Sequence, residues 1–425
     1  MSTSEMHNNF DEISHEDFVI ATYSIGVDKD DDVQTKTDLI TKFIFPGTGV
    51  QVAGDTPKRK EMHSGRVLNI YEAPQYEIQV PVGKENRNYI VQIGVPVINI
   101  GESLTMLLTI TAGEILAFGN IKLLDLYFPR GFISNYHGPK FGVEGIRQTL
   151  DVYERPLLLA IYKPSLGYSP NEGAKNFYEV AVGGADLVKD DELLSDPSFC
   201  RRLERVKQYT EAEKRAFEET GEHTLYAVNI TDNVDQLVKN ALDVIELGAN
   251  ALMINYLQVG LDAARMVCED PRITIPVLGH NSGATSFYAN HNSGMSATLI
   301  NAKLPRICGV DLCIFFTNYG KFPTLRERSK LIFKEMLRSL NDIHATFPIA
   351  AGGITPGLVD KLYSDFGQDI VLGSGGCIFG HPQGPKAGAT AFRQAIESSV
   401  EGRDLTQAAD EHEELKVALE TWGVQ

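Results

Sequence analysis

The five cysteines of this chain (Cys200, Cys268, Cys308, Cys313, Cys377) include no Cys-X-X-Cys pair. An odd, scattered set in a long chain excludes a fully paired disulfide framework and points to structural thiols in a reducing compartment. A basic block is also missing: 39 Lys and Arg stand against 56 Asp and Glu, for a net charge of -17. Nucleic acid and anionic membrane surfaces are therefore poor partners. No apolar run approaches the ~20 residues of a membrane span. The opening segment, MSTSEMHNNFDEISHEDF, is polar and acidic, unlike a secretory leader. Together these absences lead us to expect a cytoplasmic protein. What is present, 425 residues with 43% hydrophobic and 22% charged, suffices for a large core, divided between two domains.

Between Phe18 and about residue 135, short alternating stretches (FVIATYSI, RVLNIY, YIVQIGVPVINI) mix with few strong helices, which predicts a small antiparallel α+β domain. YHGPKFGVEGIRQTLDVYERP reads as a connector and a helix. Beyond it the texture changes. Eight apolar runs follow: LLLAIYKP, ADLVKDD, LYAVNIT, ALMINY, IPVLGH, GVDLCIFF, FPIAAGG and DIVLGSGG. Intervening pieces such as SFCRRLERVKQYTEAEKRAFEET and LRERSKLIFKEMLRSL carry apolar residues every three to four positions, which is helix periodicity. Eight such alternations predict a C-terminal (β/α)8 TIM barrel over residues 146–425, after an N-terminal α+β domain over 1–145. A doubly wound open sheet is the alternative.

Barrels of this kind carry their sites at the C-terminal strand ends. Those ends hold Lys163, Lys189 to Glu192, Asn229 with Thr231, Asn255, His280, Thr317 to Lys321, Gly352 with Gly353, and Gly375 with Gly376. The stretch GGADLVKDDE sets one lysine beside three carboxylates at a strand end, and a buried charge needs a partner. Asp191 and Glu192 can offer oxygen to a hard divalent ion such as Mg2+. A protonated Lys189 cannot ligate, because an ammonium has no acceptor. A neutral lysine that has added CO2 becomes a carbamate and a third oxygen ligand, and burial makes the neutral form accessible. The alternative is an ion-pair cluster capping the strand. The glycine pairs of AAGGI and GSGGC let backbone N–H groups approach a phosphate, a frequent use of the last two strands of such barrels. Lys163, in YKPSLGYS, is a candidate acid or base for enolisation, or else an ordinary salt-bridge lysine.

The motifs GGADLVKDDE, KPSLG, GPKFGVEGIR, YGKF and GGCIFGHPQGPKAGA resemble the ribulose-bisphosphate carboxylase large-chain superfamily along essentially the whole chain. The resemblance implies a ferredoxin-like N-terminal domain. It also implies a carbamylated Lys189 with Asp191 and Glu192 as Mg2+ ligands, Lys163 and Lys321 as catalytic lysines, and Gly352, Gly353, Gly375, Gly376, His280 and Asn229 as phosphate and substrate contacts. It further implies a homodimer or a multiple of dimers, with a small phosphorylated sugar derivative as the binding partner.

Departures from the carboxylase pattern matter equally. Ser165 stands where a second active-site lysine is found, Ser282 and Gly283 replace histidine and arginine, Ile314 replaces a histidine, Ala351 a serine, and Glu114 an asparagine. The chain thus resembles the RuBisCO-like (form IV) branch and not the carboxylases themselves. Losing the second phosphate site implies a monophosphorylated substrate, since a dianion would find no guanidinium there. Lys321 would face a substrate carboxylate. The expectation is a carboxy-lyase: Mg2+-dependent decarboxylation of a β-keto sugar acid, 3-oxo-isoapionate 4-phosphate, to L-erythrulose 1-phosphate and CO2. The alternatives are a methylthio-sugar phosphate enolase or isomerase of methionine salvage, a transcarboxylase or hydrolase on the same keto acid, and a non-catalytic regulatory protein.

Overall fold

Alternation along β1 (Phe18–Asp28) brings Val19, Ala21, Tyr23 and Ile25 to one fully buried face. The structure, a computed structural model, describes residues 14–73, 82, 83 and 85–424. β1 is central in an antiparallel sheet: β3 (Asn86–Pro96) pairs with it on one side and β4 (Ile121–Tyr127) on the other, with β2 (Arg66–Glu72) outside β3. Helix Val33–Ile44 follows β1, its first turn capped by the Asp32 carboxylate, which accepts from the amides of Gln34 and Thr35. Helix Leu104–Ala112 lies between β3 and β4 in the chain. Strand order β4-β1-β3-β2 with helices after the first and third strands is the ferredoxin-like arrangement expected of this region.

The eight apolar runs from Leu157 onward form the eight strands of one closed parallel barrel, as their spacing predicts. They are β5 (Leu157–Ile161), β6 (Leu187–Lys189), β7 (Leu225–Asn229), β8 (Ala251–Asn255), β9 (Val277–His280), β11 (Leu312–Phe316), β12 (Phe347–Ala351) and β13 (Val371–Ser374). β13 pairs with β5 and so closes the ring. Leu159, Leu187, Met253, Leu278, Leu312, Ile349 and Val371 belong to one apolar cluster, each buried. Burial of such a side chain stabilises by about 1.5–3 kcal/mol relative to exposure.

Helix Gly142–Leu150 belongs to the same cluster through Val143, Ile146 and Leu150, which recur at helical spacing. Asp311, one residue before β11, fixes that helix: its Oδ1 accepts from the amides of Phe141 (2.6 Å) and Gly142 (3.1 Å), while Oδ2 accepts from Val277 N (2.8 Å). The helix thus meets the barrel where the strands begin, leaving their C-terminal ends for other residues. Between β9 and β11 the chain makes β10 (Gly294–Met295), which pairs parallel with β4. By packing, the described residues up to Tyr136 and Gly283–Ile300 form one compact unit, and His137–Ser282 with the described residues from Asn301 form the other.

Candidate active site

A cavity of about 340 Å³ opens at the C-terminal strand ends. Lys163, Lys189, Glu192, His280, Lys321 and the four glycines Gly352, Gly353, Gly375 and Gly376 all line it. These residues come from six different strands and the loops that follow them, so the barrel alone assembles the set. Asp191 sits just behind the wall, and Asn229 is fully buried outside the lining.

Lys189 ends β6 with its side chain wholly out of water. Its Nζ donates to the Asp190 carbonyl (2.9 Å) and to Glu192 Oε2 (3.3 Å). Burial lowers its pKa, against the raising influence of Glu192 and Asp191. His280 Nδ1 accepts the Ser282 amide (3.1 Å), which leaves the ring proton on Nε2 to face Glu192 Oε2 at 3.3 Å. Burial also pushes the imidazole down, toward its neutral form. Burial alone would raise Glu192, yet the hydrogen bond from His280 and the charge of Lys189 hold it well below the usual carboxylate range.

The sequence reading brought all of Lys189 to Glu192 to the mouth, and here the structure differs. Asp190 points the other way, fully buried against Arg205, whose Nη2 lies 2.8 Å from Asp190 Oδ2. Alternation along the strand explains this: neighbours of Lys189 and Asp191 must face outward. Asn229 braces the turn instead of lining the cavity, its Nδ2 donating to the carbonyls of Asp191 (3.4 Å) and Glu192 (3.3 Å). Asn255 adds a bond to the Glu192 carbonyl (3.4 Å), and Thr317 is buried.

Lys163, just past β5, reaches Asp191 Oδ2 at 2.6 Å and Ser165 Oγ at 2.8 Å. Across the mouth, the Lys321 loop rests on the first glycine pair, with Lys321 N donating to the Gly352 carbonyl at 2.7 Å. Gly353 has a φ of +107°, and a side chain there would lie 3.0 Å from Lys321 N. The second pair is different: a Cβ on Gly375 would strike the Ile161 carbonyl and Lys163, whereas beside Gly376 nothing lies within 4 Å. Open backbone of this kind admits an anion.

Sequence reasoning missed the opposite wall. Ile314, Phe316, Phe322, Ala351 and Ile354 all line the cavity, and the Phe316 and Phe322 rings lie 4.3 Å apart. As sequence, Ile314 and Ala351 read only as losses of polar groups; the available signal is the doubled aromatic at the end of LCIFF, whose last ring stays partly exposed.

Among the described residues, no group of three or more His, Cys, Asp and Glu side chains is arranged to hold a metal. Asp191 and Glu192 offer two carboxylates, a minimal protein set for Mg2+, which fills its remaining positions with water or substrate oxygen. Lys189 is the buried side chain adjoining both, and only its CO2 adduct adds oxygen to the set. The residues fit such an ion in that state.

Residues 142–422 match the family described as ribulose bisphosphate carboxylase large chain, catalytic domain. A ribulose bisphosphate carboxylase-like protein of Archaeoglobus fulgidus is 43% identical over 96% of this chain and 94% of its own. A 2,3-diketo-5-methylthiopentyl-1-phosphate enolase of Geobacillus kaustophilus is 34% identical over 96% of this chain and 98% of its own. The solved octameric ribulose-1,5-bisphosphate carboxylase/oxygenase of Pyrococcus horikoshii superposes with a TM-score of 0.90 at 30% identity, covering 100% of this chain and 97% of that one.

Proposed function

The chain belongs to the ribulose bisphosphate carboxylase large-chain family, in which it is similar to RuBisCO-like proteins, and from that premise we propose that it is an enolase. Its substrate would be a monophosphorylated keto compound with an uncharged, apolar far end. The observation that carries this reading is the set of apolar side chains Ile314, Phe316, Phe322, Ala351 and Ile354 lining the same cavity as Lys163. A second phosphate or a sugar hydroxyl set against those five side chains would lose its water without gaining a partner from them. A thioether or alkyl tail loses nothing and gains apolar contact. The Geobacillus relative, named for a methylthiopentyl diketone phosphate, supports the same choice over the β-keto acid favoured from sequence.

In this reading the phosphate lies against Gly375 and Gly376, and the tail against the apolar wall. Lys163 Nζ, as the neutral amine, takes a proton from the carbon next to the substrate carbonyl, and the ammonium so formed gives it back at the carbonyl oxygen, which completes the enol and restores the amine. Asp191 and Ser165 hold the amine in place. Lys189 as its carbamate, Asp191 and Glu192 would hold Mg2+, whose charge stabilises an enolate oxygen when it is bound. His280 steadies Glu192, and the Gly352 carbonyl holds the Lys321 loop by its backbone amide. A homodimer or multiple of dimers accords with the octamer described for the Pyrococcus relative.

One feature favours a second reading, decarboxylation of a monophosphorylated β-keto acid. Lys321 brings a cation to the cavity, where it would pair with a substrate carboxylate. The two are separated by incubating the protein with 2,3-diketo-5-methylthiopentyl-1-phosphate, and with monophosphorylated β-keto acids, in deuterated buffer. Deuterium exchange on the diketone without CO2 release from any acid supports the enolase. CO2 release from an acid, with an inert diketone, replaces it with the lyase.

A further inference from the structure

Asp190 lies between two residues of the candidate metal site, yet its side chain never reaches that site. Its two oxygens are held by four donors: Arg205 Nε (3.1 Å) and Tyr226 Oη (2.8 Å) on Oδ1, Arg205 Nη2 (2.8 Å) and Asn229 N (3.0 Å) on Oδ2. Asp190 and Arg205 are both fully buried. The guanidinium is itself anchored, to the carbonyls of Cys200 (2.8 Å) and Ser195 (3.0 Å). The main chain of Asp190 works on the other side, where its carbonyl accepts Lys189 Nζ at 2.9 Å.

We propose that Arg205 is a positioning residue for the metal site: by clamping Asp190 it fixes the Lys189–Glu192 turn in the one arrangement that turns Lys189, Asp191 and Glu192 toward the cavity. The proposal rests on the carbamate and metal reading given above. A planar fork gripping both carboxylate oxygens removes rotation about the Asp190 side chain, which a single point charge would not do. Because successive residues of an extended segment face opposite sides, locking Asp190 outward holds Lys189 and Asp191 inward, and the turn that follows brings Glu192 back against Lys189 and His280. A buried ion pair whose only role was stability would be replaceable by apolar side chains of similar volume. One that orients ligands is not replaceable, because partners behind a metal site typically govern affinity by about 10–100-fold.

The test is binding, measured on the whole protein without substrate. CO2-dependent mass gain on Lys189 is trapped and quantified against Mg2+ concentration for the wild type, Arg205→Lys and Tyr226→Phe. Arg205→Lys keeps the charge and loses the fork; Tyr226→Phe keeps the ring and loses one donor to Asp190. Arg205→Lys is expected to raise the Mg2+ needed for half-maximal carbamate retention by about tenfold or more, and Tyr226→Phe by a smaller factor in the same direction. A purely structural role predicts lower melting temperatures with the Mg2+ dependence of the folded fraction unchanged, and that result overturns the proposal. Should Arg205→Lys fail to fold, the Mg2+ curve of Tyr226→Phe decides by the same criterion. A wild type that takes up no CO2 on Lys189 overturns the metal reading and this proposal together; wild-type uptake with unshifted variants overturns this proposal alone.

Discussion

Lys163 Nζ lies 2.6 Å from Asp191 Oδ2, so the amine read as the enolising base is tied to a residue of the metal motif. Lys163 is 38% exposed at its side chain and Asp191 1%, which makes this a bond from the cavity into its wall. Replacing Lys163 by Met keeps most of the side-chain volume and removes the proton acceptor. We expect kcat for enolisation to fall by roughly 10²–10⁴-fold, the usual worth of a general base, with folding preserved. Solvent deuterium exchange into the substrate measures it, and an unchanged rate would remove Lys163 from the mechanism.

Removal of divalent ions tests the carboxylates. Chelator-treated protein should lose exchange activity. Mg2+ added together with bicarbonate should restore it, whereas Mg2+ in CO2-free buffer should not, because without CO2 Lys189 offers the ion no oxygen and its amine stays against Glu192. Full recovery without CO2 would show that Lys189 stays an amine during catalysis.

Asp311 makes a prediction about stability alone. Its carboxyl accepts three buried or part-buried backbone amides, two at the start of helix Gly142–Leu150 and one at β9. Asp311→Ala leaves all three without a partner, at about 1–3 kcal/mol for each such group. The melting temperature should fall clearly while kcat per folded molecule stays the same. A drop in kcat at full folding would mean that the end of the barrel where strands begin communicates with the mouth.

How much of this was legible follows from what periodicity encodes. The eight barrel runs could be read because each is a short, apolar, bounded segment, and all eight appear as strands. β10 could not: Gly294–Met295 is two residues long, and its pairing with β4 is set by tertiary contact, not by any local pattern. Lys163, Lys189, Glu192 and His280 could be placed on one cavity because they end strands. The outward turn of Asp190 was hidden, since three adjacent carboxylates look alike until a partner is known, and that partner lies fifteen residues on. Arg205 itself carries a faint signal: it shares the buried stripe of helix Arg202–Thr220 with Arg202, Val206, Tyr209, Ala212 and Ala216, and a basic residue inside such a stripe needs a partner.

Cys377 gives a pH-dependent readout of the same cavity. It lines the site half-buried, and burial pushes its thiol up from 9.0 to about 11, against a lowering hydrogen bond with Ser374. Only the thiolate alkylates. A raised pKa keeps the neutral thiol dominant, so its alkylation rate should climb about tenfold per pH unit from 8 toward 11 instead of levelling near 9. Peptide mapping after iodoacetamide treatment across that range checks it. A plateau near 9 would mean that the cavity around Gly376 and Cys377 is far wetter than this structure has it.

The apolar wall decides between substrate classes, and Phe322 is its most accessible test. Its ring packs 4.3 Å from that of Phe316, on the loop that also carries Lys321. Phe322→Ala removes apolar surface from a tail bound there, a loss of about 1.5 kcal/mol that should raise KM for a methylthio-tailed diketone phosphate roughly tenfold. The same change should leave a short phosphorylated ketone without a tail nearly unaffected, since that ligand ends before the wall. Lys321→Ala provides the contrast. An enolase acting on an uncharged tail has no carboxylate for this cation to hold, so the loss should be small beside that of Lys163→Met, whereas a decarboxylase should lose most of its rate. Rate profiles in which Lys321→Ala is the more damaging change and Phe322→Ala is silent would transfer the assignment to the β-keto acids. The opposite pattern fits a chain whose cavity has exchanged a second anion site for an apolar one.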